Sequence, residues 1–278
     1  SSMNTLSEAL GITCSADIGL MSISYTCFDG ESSFSHALSL TTTGVNTSRL
    51  NRLEHFVSDF PAEGIHMSGE ALHSQLDEIE RIHGLYSPAA LGLASALACG
   101  AFTFLLGGGP LEMILAFAGA GIGNAIRCKL GKHHFTLFMC IAVSVSSACL
   151  VYAGFLKLAE LLFHISVQHE AGYICSMLFI IPGFPFITSG IDLAKLDMRS
   201  GLERLAYAII VVMVAAVSAW LMALLLHLKP VDFLPLELSA AQRILFRLLA
   251  SFCGVFGFSV MFNSPVRLAA AAAFIGAL

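Results

Sequence analysis

The stretch AGYICSMLFIIPGFPFITSGI, residues 171–191, carries no charged side chain and is long enough to cross a lipid bilayer as a helix. Its central part contains Pro182 and Pro185, and proline lacks the backbone N–H that a helix interior needs. Carbonyl groups left without a partner in hydrocarbon are costly unless protein, water or a ligand shelters them. The stretch therefore predicts a membrane helix that is interrupted near its middle, with the interruption enclosed by the protein.

The rest of the chain has the composition of a polytopic α-helical membrane protein. Of its 278 residues, 56% are hydrophobic and only 12% are charged, whereas soluble domains carry about twice that share of charge. Further uncharged stretches of spanning length cover residues 89–106, 135–156 and 205–226, and two more, 111–126 and 244–262, hold one charge each. The apolar segment 268–278 is too short to span and is interpreted as a seventh helix cut short.

The first 87 residues are predicted to form a small α+β domain. An alternating pattern over residues 20–28, turn residues around Asp29 and Gly30, and a second alternation over 34–40 predict a β-hairpin. Two helices should follow, one capped by Asn46 or Thr47 and the other by Ser68. With eleven acidic residues against three arginines, this domain offers no basic surface to nucleic-acid phosphates.

These patterns divide the chain into a domain over residues 1–87, a five-helix membrane unit over 88–230, and the start of a second membrane unit over 231–278. Seven lysines and arginines lie in the connections 127–134, 192–204 and 263–267, against four on the opposite side. The positive-inside rule then predicts that these connections face the cytoplasm. The N-terminal domain is expected on the same side.

The interruption is the first candidate binding site. A second half-helix starting near Pro185 would direct the N–H groups of Phe186, Ile187 and Thr188, with the positive end of its dipole, toward the bilayer centre. That arrangement favours a carboxylate, and discontinuous helices form the substrate sites of many secondary transporters. A proline kink without a ligand is the alternative, and the residue pattern alone does not decide. The candidate substrate-binding or pathway residues here are Pro182, Gly183, Pro185, Phe186, Thr188 and Ser189.

Two further polar residues are candidates. Asp192 follows the break by about two turns and is either an interfacial charge paired locally or a group for coupling or gating. Asn124 ends the segment GAGIGN, in which Gly119 and Gly123 form a small-xxx-small pair typical of close helix packing. Asn124 either belongs to that packing or lines a pathway.

Enzyme and metal signatures are missing from the sequence. It contains no GxSxG, P-loop or HExxH motif, and the GGG of residues 107–109 is best explained as a tight turn between two helices. His164 and His169 are five residues apart, which does not fit the zinc-binding helix spacing. The eight cysteines include no CxxC pair and are expected to be reduced. No catalytic residue, metal or cofactor is predicted.

One family resemblance covers nearly the whole chain. Residues 181–205, IPGFPFITSGIDLAKLDMRSGLERL, resemble the proline-glycine helix and following loop of the bacterial threonine/serine exporter family. Residues 44–59, GVNTSRLNRLEHFVSD, are similar to the family's cytosolic domain, and residues 256–278 to the opening of its second membrane unit. Against the family pattern, the first helix of that domain and the helices after residue 278 are expected to be missing. The matched positions are Pro182, Gly183, Asp192, Gly201 and Arg204.

The resemblance implies a transporter and not an enzyme. It implies secondary-active export of threonine/serine-type amino acids, or of dicarboxylates such as succinate, across the bacterial inner membrane, driven by the proton motive force. The partners implied are protons, the lipid bilayer and a second membrane unit, fused or separate, with a homo-oligomer as a further assembly. Two other classes stay open: a membrane-anchored enzyme acting through its N-terminal domain, and a non-transporting assembly subunit.

Overall fold

A computed structural model describes residues 2–40, 43–164, 169–229 and 232–278. These residues form two compact units. The first comprises the described residues within 1–84 and 184–207, and the second comprises those within 85–183 and 208–278. Each unit is described by itself below.

The N-terminal segment of the first unit is an α+β domain. Its elements are α1 (Ser2–Ala9), β1 (Thr13–Ile18), β2 (Ser22–Phe28), β3 (Ser33–Ser39), α2 (Thr47–Asp59), a 3-10 helix (Gly64–His66) and α3 (Gly69–Glu80). The antiparallel sheet has the order β1-β2-β3, with Cys14 opposite Cys27. The predicted hairpin is confirmed as β2 and β3, whereas β1 is an additional strand that the sequence pattern did not predict.

Local side-chain hydrogen bonds explain where α2 and α3 begin. Asn46 accepts a hydrogen bond from the amide of Arg49, and Ser68 accepts one from the amide of Ala71. Each cap satisfies an amide that the first turn of a helix leaves without an intrahelical partner. The predicted caps are confirmed, with Asn46 as the cap of α2 in place of Thr47.

The apolar part of the chain is helical. Its α-helices are α4 (Pro88–Leu105), α5 (Pro110–Lys132), α6 (Leu137–Phe163), α7 (Gly183–Ala194), α8 (Met198–Leu225), α9 (Ala240–Met261) and α10 (Val266–Ala277), and two 3-10 helices cover Glu170–Tyr173 and Cys175–Ile180. Within the described ranges, five helices are long and apolar enough to cross a membrane, or six if residues 170–194 count as one interrupted span. The chain is therefore a polytopic α-helical membrane protein with a small N-terminal α+β domain.

In the second unit, close helix contacts are built on small residues. A Cβ on Gly119 would lie 2.8 Å from the carbonyl oxygen of Ala148, and a Cβ on Gly123 would lie 2.9 Å from that of Ser144. Only glycine allows α5 to approach the backbone of α6 so closely. The small-xxx-small pair is thus a packing device between α5 and α6.

Aromatic contacts join α9 to its neighbours in the second unit. The rings of Phe102 on α4 and Phe258 on α9 meet edge to face with centroids 5.3 Å apart. Phe252 on α9 and Phe274 on α10 meet similarly at 5.0 Å. Edge-to-face pairs add to the burial energy of the rings, so α9 and α10 belong to the packed core of this unit.

In the first unit, the turn between β1 and β2 is bonded to the start of α8. The amide of Leu20 donates to Glu203 Oε2 at 2.6 Å, and Arg199 forms ion pairs with Asp17 and Glu203. Gly19 lies against the same carboxylate, since a Cβ there would be 2.7 Å from Glu203 Oε2. The sheet and the first turns of α8 therefore form a single structure.

Candidate functional site

The interruption in residues 171–191 lies at Ile181 and Pro182. A 3-10 helix ends at Ile180, Ile181 is extended with φ −60° and ψ 121°, and α7 begins at Gly183. Proline disfavours the helical conformation of the residue before it, which accounts for the extended Ile181. α7 thus starts two residues before the predicted start at Pro185. Pro185 lies in the first turn, where a missing N–H costs no helical hydrogen bond.

This start changes which amides lie at the break. The amide of Gly183 donates to the carbonyl of Ile181 at 2.9 Å, and Pro185 has no amide proton. Phe186 and the residues after it lie beyond the first three helical positions, so their amides pair within α7. The expected set of inward-pointing amides on Phe186, Ile187 and Thr188 is therefore wrong, because it assumed a later helix start.

The hydroxyl groups of α7 are bonded to its own backbone. Thr188 Oγ1 donates to the carbonyl of Phe184 at 3.0 Å, and Ser189 Oγ donates to that of Phe186 at 2.8 Å. Ser189 is buried, whereas Thr188 and Phe186 are half-buried. Thr188 is consequently the more accessible of the two hydroxyls.

Asp192 lies near the end of α7 in a compact helix-turn-helix. Its Oδ2 is 3.0 Å from Arg204 Nη1 and accepts a hydrogen bond from Ser200 Oγ at 3.2 Å. The turn between α7 and α8 passes through Leu196 in the left-handed region, with φ 63°. A Cβ on Gly201 would lie 2.7 Å from the side chain of Leu193, so glycine is needed for the two helices to meet. The family-pattern positions Asp192, Gly201 and Arg204 thus form one local structure.

Asn124 is buried in the second unit, 1% exposed. Its Nδ2 donates to the carbonyl of Leu91 at 3.0 Å, and its Oδ1 accepts from Arg127 Nε at 3.0 Å. The guanidinium of Arg127 lies 5.9 Å from the ring centroid of Phe179, three residues before the break. Asn124 therefore orients a half-buried arginine, a residue type that binds carboxylates well.

The predicted site residues are distributed over both units. Pro182, Gly183 and Asn124 belong to the second unit, and Pro185, Phe186, Thr188, Ser189 and Asp192 belong to the first. The hydrogen bonds and ion pairs given above for these residues lie within one unit in each case. Arg127 was not among the predicted site residues, because the sequence shows it only as one of several basic residues in a connection.

A buried pair that the sequence patterns did not predict lies elsewhere in the second unit. His169 Nδ1 is 2.7 Å from Glu112 Oε1, and Glu112 is 2% exposed. Tyr152 on α6 donates its hydroxyl proton to the backbone carbonyl of His169 at 2.6 Å. A Cβ on Gly172 would lie only 2.1 Å from the Tyr152 oxygen, so the glycine makes room for this bond.

The second oxygen of the Glu112 carboxylate has a different environment. Among the residues that the structure describes, Glu112 Oε2 is the one buried side-chain oxygen or nitrogen without a hydrogen-bond partner. It faces Gly109, where a Cβ would be 3.0 Å away. Glu112 and His169 are 57 positions apart, so sequence spacing could not pair them. The sequence did contain one indication of a buried ionisable group, because Glu112 is the single charged residue in the apolar stretch 111–126.

Two groups of polar side chains in the second unit are candidates for binding chemistry. In the described ranges, no three histidine, cysteine, aspartate or glutamate side chains are grouped so that they could hold a metal ion. Arg127 with Asn124 suits a carboxylate, and Glu112 with His169 is a buried, hydrogen-bonded pair of ionisable side chains.

Comparison with known proteins gives one family match. The model of the ThrE family, described as "Putative threonine/serine exporter", matches residues 1–227. The match extends from the N-terminal domain to the segment after α8. Searches of curated proteins and of solved structures give no match.

Proposed function

Because this chain belongs to the threonine/serine exporter family, which it matches over residues 1–227, we propose that it exports small carboxylate-bearing metabolites by secondary-active transport. The substrate class is threonine/serine-type amino acids or dicarboxylates such as succinate. The energy source is the proton motive force across the bacterial cytoplasmic membrane. The family match is the observation that carries this proposal, and the apolar helices give the chain the multi-pass character that a transporter needs.

The substrate path in this proposal follows the interruption at Ile181 and Pro182. Non-helical backbone at membrane depth is tolerated where protein encloses it or where it lines a cavity. The residues proposed to line the path are Pro182, Gly183, Pro185, Phe186, Thr188 and Ser189, with Asn124 as a further polar contact.

The carboxylate contact is assigned differently than in the sequence-based hypothesis, because the amides of α7 are largely occupied. Arg127 is a better partner, since its guanidinium is fixed by Asn124 and lies on the ring of Phe179. A planar guanidinium can form two parallel hydrogen bonds to a carboxylate.

Asp192 is proposed to act in gating. Its ion pair with Arg204 ties the end of α7 to α8 across a tight turn. Breaking and re-forming one partly exposed ion pair changes the free energy by about 1 kcal/mol or less. A contact of this strength can open and close within a transport cycle.

The proposal is tested by transport into vesicles of purified, reconstituted protein. Vesicles preloaded with unlabelled threonine, serine or succinate should accumulate the same labelled compound by counterflow, and a pH gradient should drive net movement of at least one of them. Protein-free vesicles are the control for leak. If none of the three compounds exchanges faster than in protein-free vesicles, export of this substrate class is wrong.

A further inference from the structure

The Glu112–His169 pair is the most deeply buried ionisable contact in the described part of the membrane helices. Glu112 lies in the first turn of α5 and is 2% exposed, and the side chain of His169 is 15% exposed. Ionisable side chains inside membrane segments are costly and usually serve ion or proton pathways. One oxygen of Glu112 is bonded to His169 and the other has no hydrogen-bond partner among the described residues. Buried carboxylate oxygens in proteins are nearly always hydrogen-bonded, so the unpartnered oxygen requires an explanation.

We propose that Glu112 and His169 together form the proton-binding site that couples export to the proton gradient. This inference rests on the export function proposed above and names the residues that carry the proton. His169 is hydrogen-bonded at Nδ1, and its backbone is held by Tyr152. Glu112 Oε2 offers a lone pair for an incoming proton.

The groups around the pair are one neighbouring carboxylate and several side chains of ordinarily neutral types. Glu170, next to His169, is a carboxylate that accepts a hydrogen bond from the amide of Lys229 at 2.5 Å. Among the described residues, the polar groups near the pair include Tyr152 on α6, Cys175 on the following 3-10 helix and, beside Cys175, Thr103 and Cys99 on α4. Side chains of these types are ordinarily uncharged at neutral pH. Residues 165–168, which lie outside the described ranges, include no ionisable side chain.

The pair has three protonation levels that differ in cost. With one proton it is neutral overall, either as carboxylate and imidazolium or as carboxylic acid and imidazole. Losing that proton leaves a net charge of −1 in a buried site, which burial disfavours. In the proposed cycle, the pair holds the proton while the site is closed and exchanges it when the site opens to water. In this exchange the proton passes between water and Glu112 or His169, so only O–H and N–H bonds form and break.

The position of the pair suits an exporter. Glu112 follows the turn of residues 107–109 between α4 and α5, and the predicted orientation places that turn outside the cell. A proton taken up there from the external solution and released to the cytoplasm moves opposite to an exported substrate. Proton entry would thus drive substrate exit.

The test separates exchange from gradient-driven transport in reconstituted vesicles. E112Q keeps the size and hydrogen-bonding capacity of the side chain but cannot ionise. We expect counterflow within about twofold of wild type, complete loss of accumulation driven by a pH gradient, and loss of substrate-dependent proton movement reported by a pH-sensitive dye. E170Q is the matched control, because it removes the neighbouring carboxylate, and it should retain all three activities.

Several results would overturn the inference. E112Q that still accumulates substrate in response to a pH gradient rules out the pair as the coupling site. E112Q that loses counterflow at unchanged thermal stability assigns Glu112 to the substrate path instead. If E112Q does not reach the membrane, H169Q is judged by the same readouts.

An infrared titration of purified protein keeps the inference separate from the proposed function. If wild-type protein transports none of the compounds tested, the export proposal fails, yet proton binding can still be measured. The site predicts a carboxylic acid C=O band that appears and disappears with pH and is missing in E112Q. A spectrum that is identical for wild type and E112Q over the pH range of stability would refute proton binding at Glu112.

Discussion

At the scale of single residues, the contacts of Asp192 define how its role can be tested. Its carboxylate lies 3.0 Å from Arg204, and both side chains are partly exposed, 20% and 30% respectively. If Asp192 acts in gating, transport requires the ion pair with Arg204. If Asp192 has only a local structural role, transport requires only that the turn between α7 and α8 is folded. Exchanging the two charges separates these roles.

Asp192→Asn is expected to lower counterflow several-fold at unchanged membrane content, because it weakens the tie between α7 and α8. The exchanged pair, Asp192→Arg with Arg204→Asp, should recover part of that loss, since the attraction is restored in reverse. Lys195→Gln removes a nearby exposed charge and should have no effect. Equal transport by Asp192→Asn and wild type would exclude gating by this pair.

Asp29 allows a pH prediction outside the membrane segments. The backbone amides of Ser32 and Glu31, and the Ser32 hydroxyl, hold the pKa of Asp29 down to about 2, from a usual value of 3.8. A depressed pKa in the folded state stabilises the turn between β2 and β3 above pH 3.8, and this contribution is lost as the pH falls through about 2. NMR titration of the Asp29 carboxyl should show a midpoint near 2. A midpoint close to 3.8 would contradict the turn geometry.

Individual residues were predictable where their partners are close in sequence. Asn46 and Ser68 cap helices through amides three positions ahead, so the local pattern identifies them. Glu112 and His169 meet through the packing of α5 against the segment after α6, and no local pattern encodes that contact. The same reason explains why Arg127 and its bond to Asn124 were missed as part of the candidate site.

At the scale of elements, Pro182 is the residue that holds the interruption open. It forces Ile181 to be extended, whereas Pro185 is accommodated in the first turn of α7. Pro182→Ala combined with Gly183→Ala should extend α7 backwards and abolish counterflow while the protein remains inserted. A Cβ on Gly183 meets no atom within 4 Å, so the second substitution introduces no clash.

The matched control for this change is Gly190→Ala on α7, where a Cβ meets no atom within 4 Å; it should leave the break in place and retain most of the transport. Helix content is measured by circular dichroism and transport by counterflow. If the Pro182→Ala, Gly183→Ala variant exchanges substrate as fast as wild type, the interruption is not part of the substrate path.

The contact between α5 and α6 gives a stability prediction. Gly123→Ala would place a methyl group 2.9 Å from the Ala148 Cβ, the Phe179 ring and the Ser144 carbonyl, at a cost of about 1–3 kcal/mol in unfolding free energy. Gly154→Ala on α6 meets no atom within 4 Å and should change stability by less than about 1 kcal/mol. Thermal unfolding in detergent compares the two, and equal stability would mean that α5 and α6 are not this close.

Elements were predictable where their pattern is long and uniform. The membrane helices follow from uninterrupted apolar stretches, and β2 and β3 follow from alternation around a turn. β1 was missed because TCSADI is short and mostly small or polar, so its alternation is weak. The start of α7 was misplaced because two prolines compete as the break, and only the backbone shows which one accommodates a helix.

At the scale of the whole molecule, the distribution of basic residues predicts a definite orientation in the membrane. In a variant lacking the eight native cysteines, Asp232→Cys should react with an impermeant thiol reagent on intact cells. Gly131→Cys, where a Cβ meets no atom within 4 Å, should react only after the membrane is permeabilised. The reverse labelling pattern would invert the orientation and move the Glu112–His169 pair to the cytoplasmic side.

The bond from Leu20 to Glu203 allows movements of the first turns of α8 to be followed from the β-sheet. Because the β1–β2 turn is fixed to the first turns of α8, those turns cannot tilt or rotate without carrying the strands with them or breaking the bond. β3 is exposed along its whole length and accepts a label without disturbing a buried contact. A spin label on β3 would therefore report movements of the first turns of α8 during turnover.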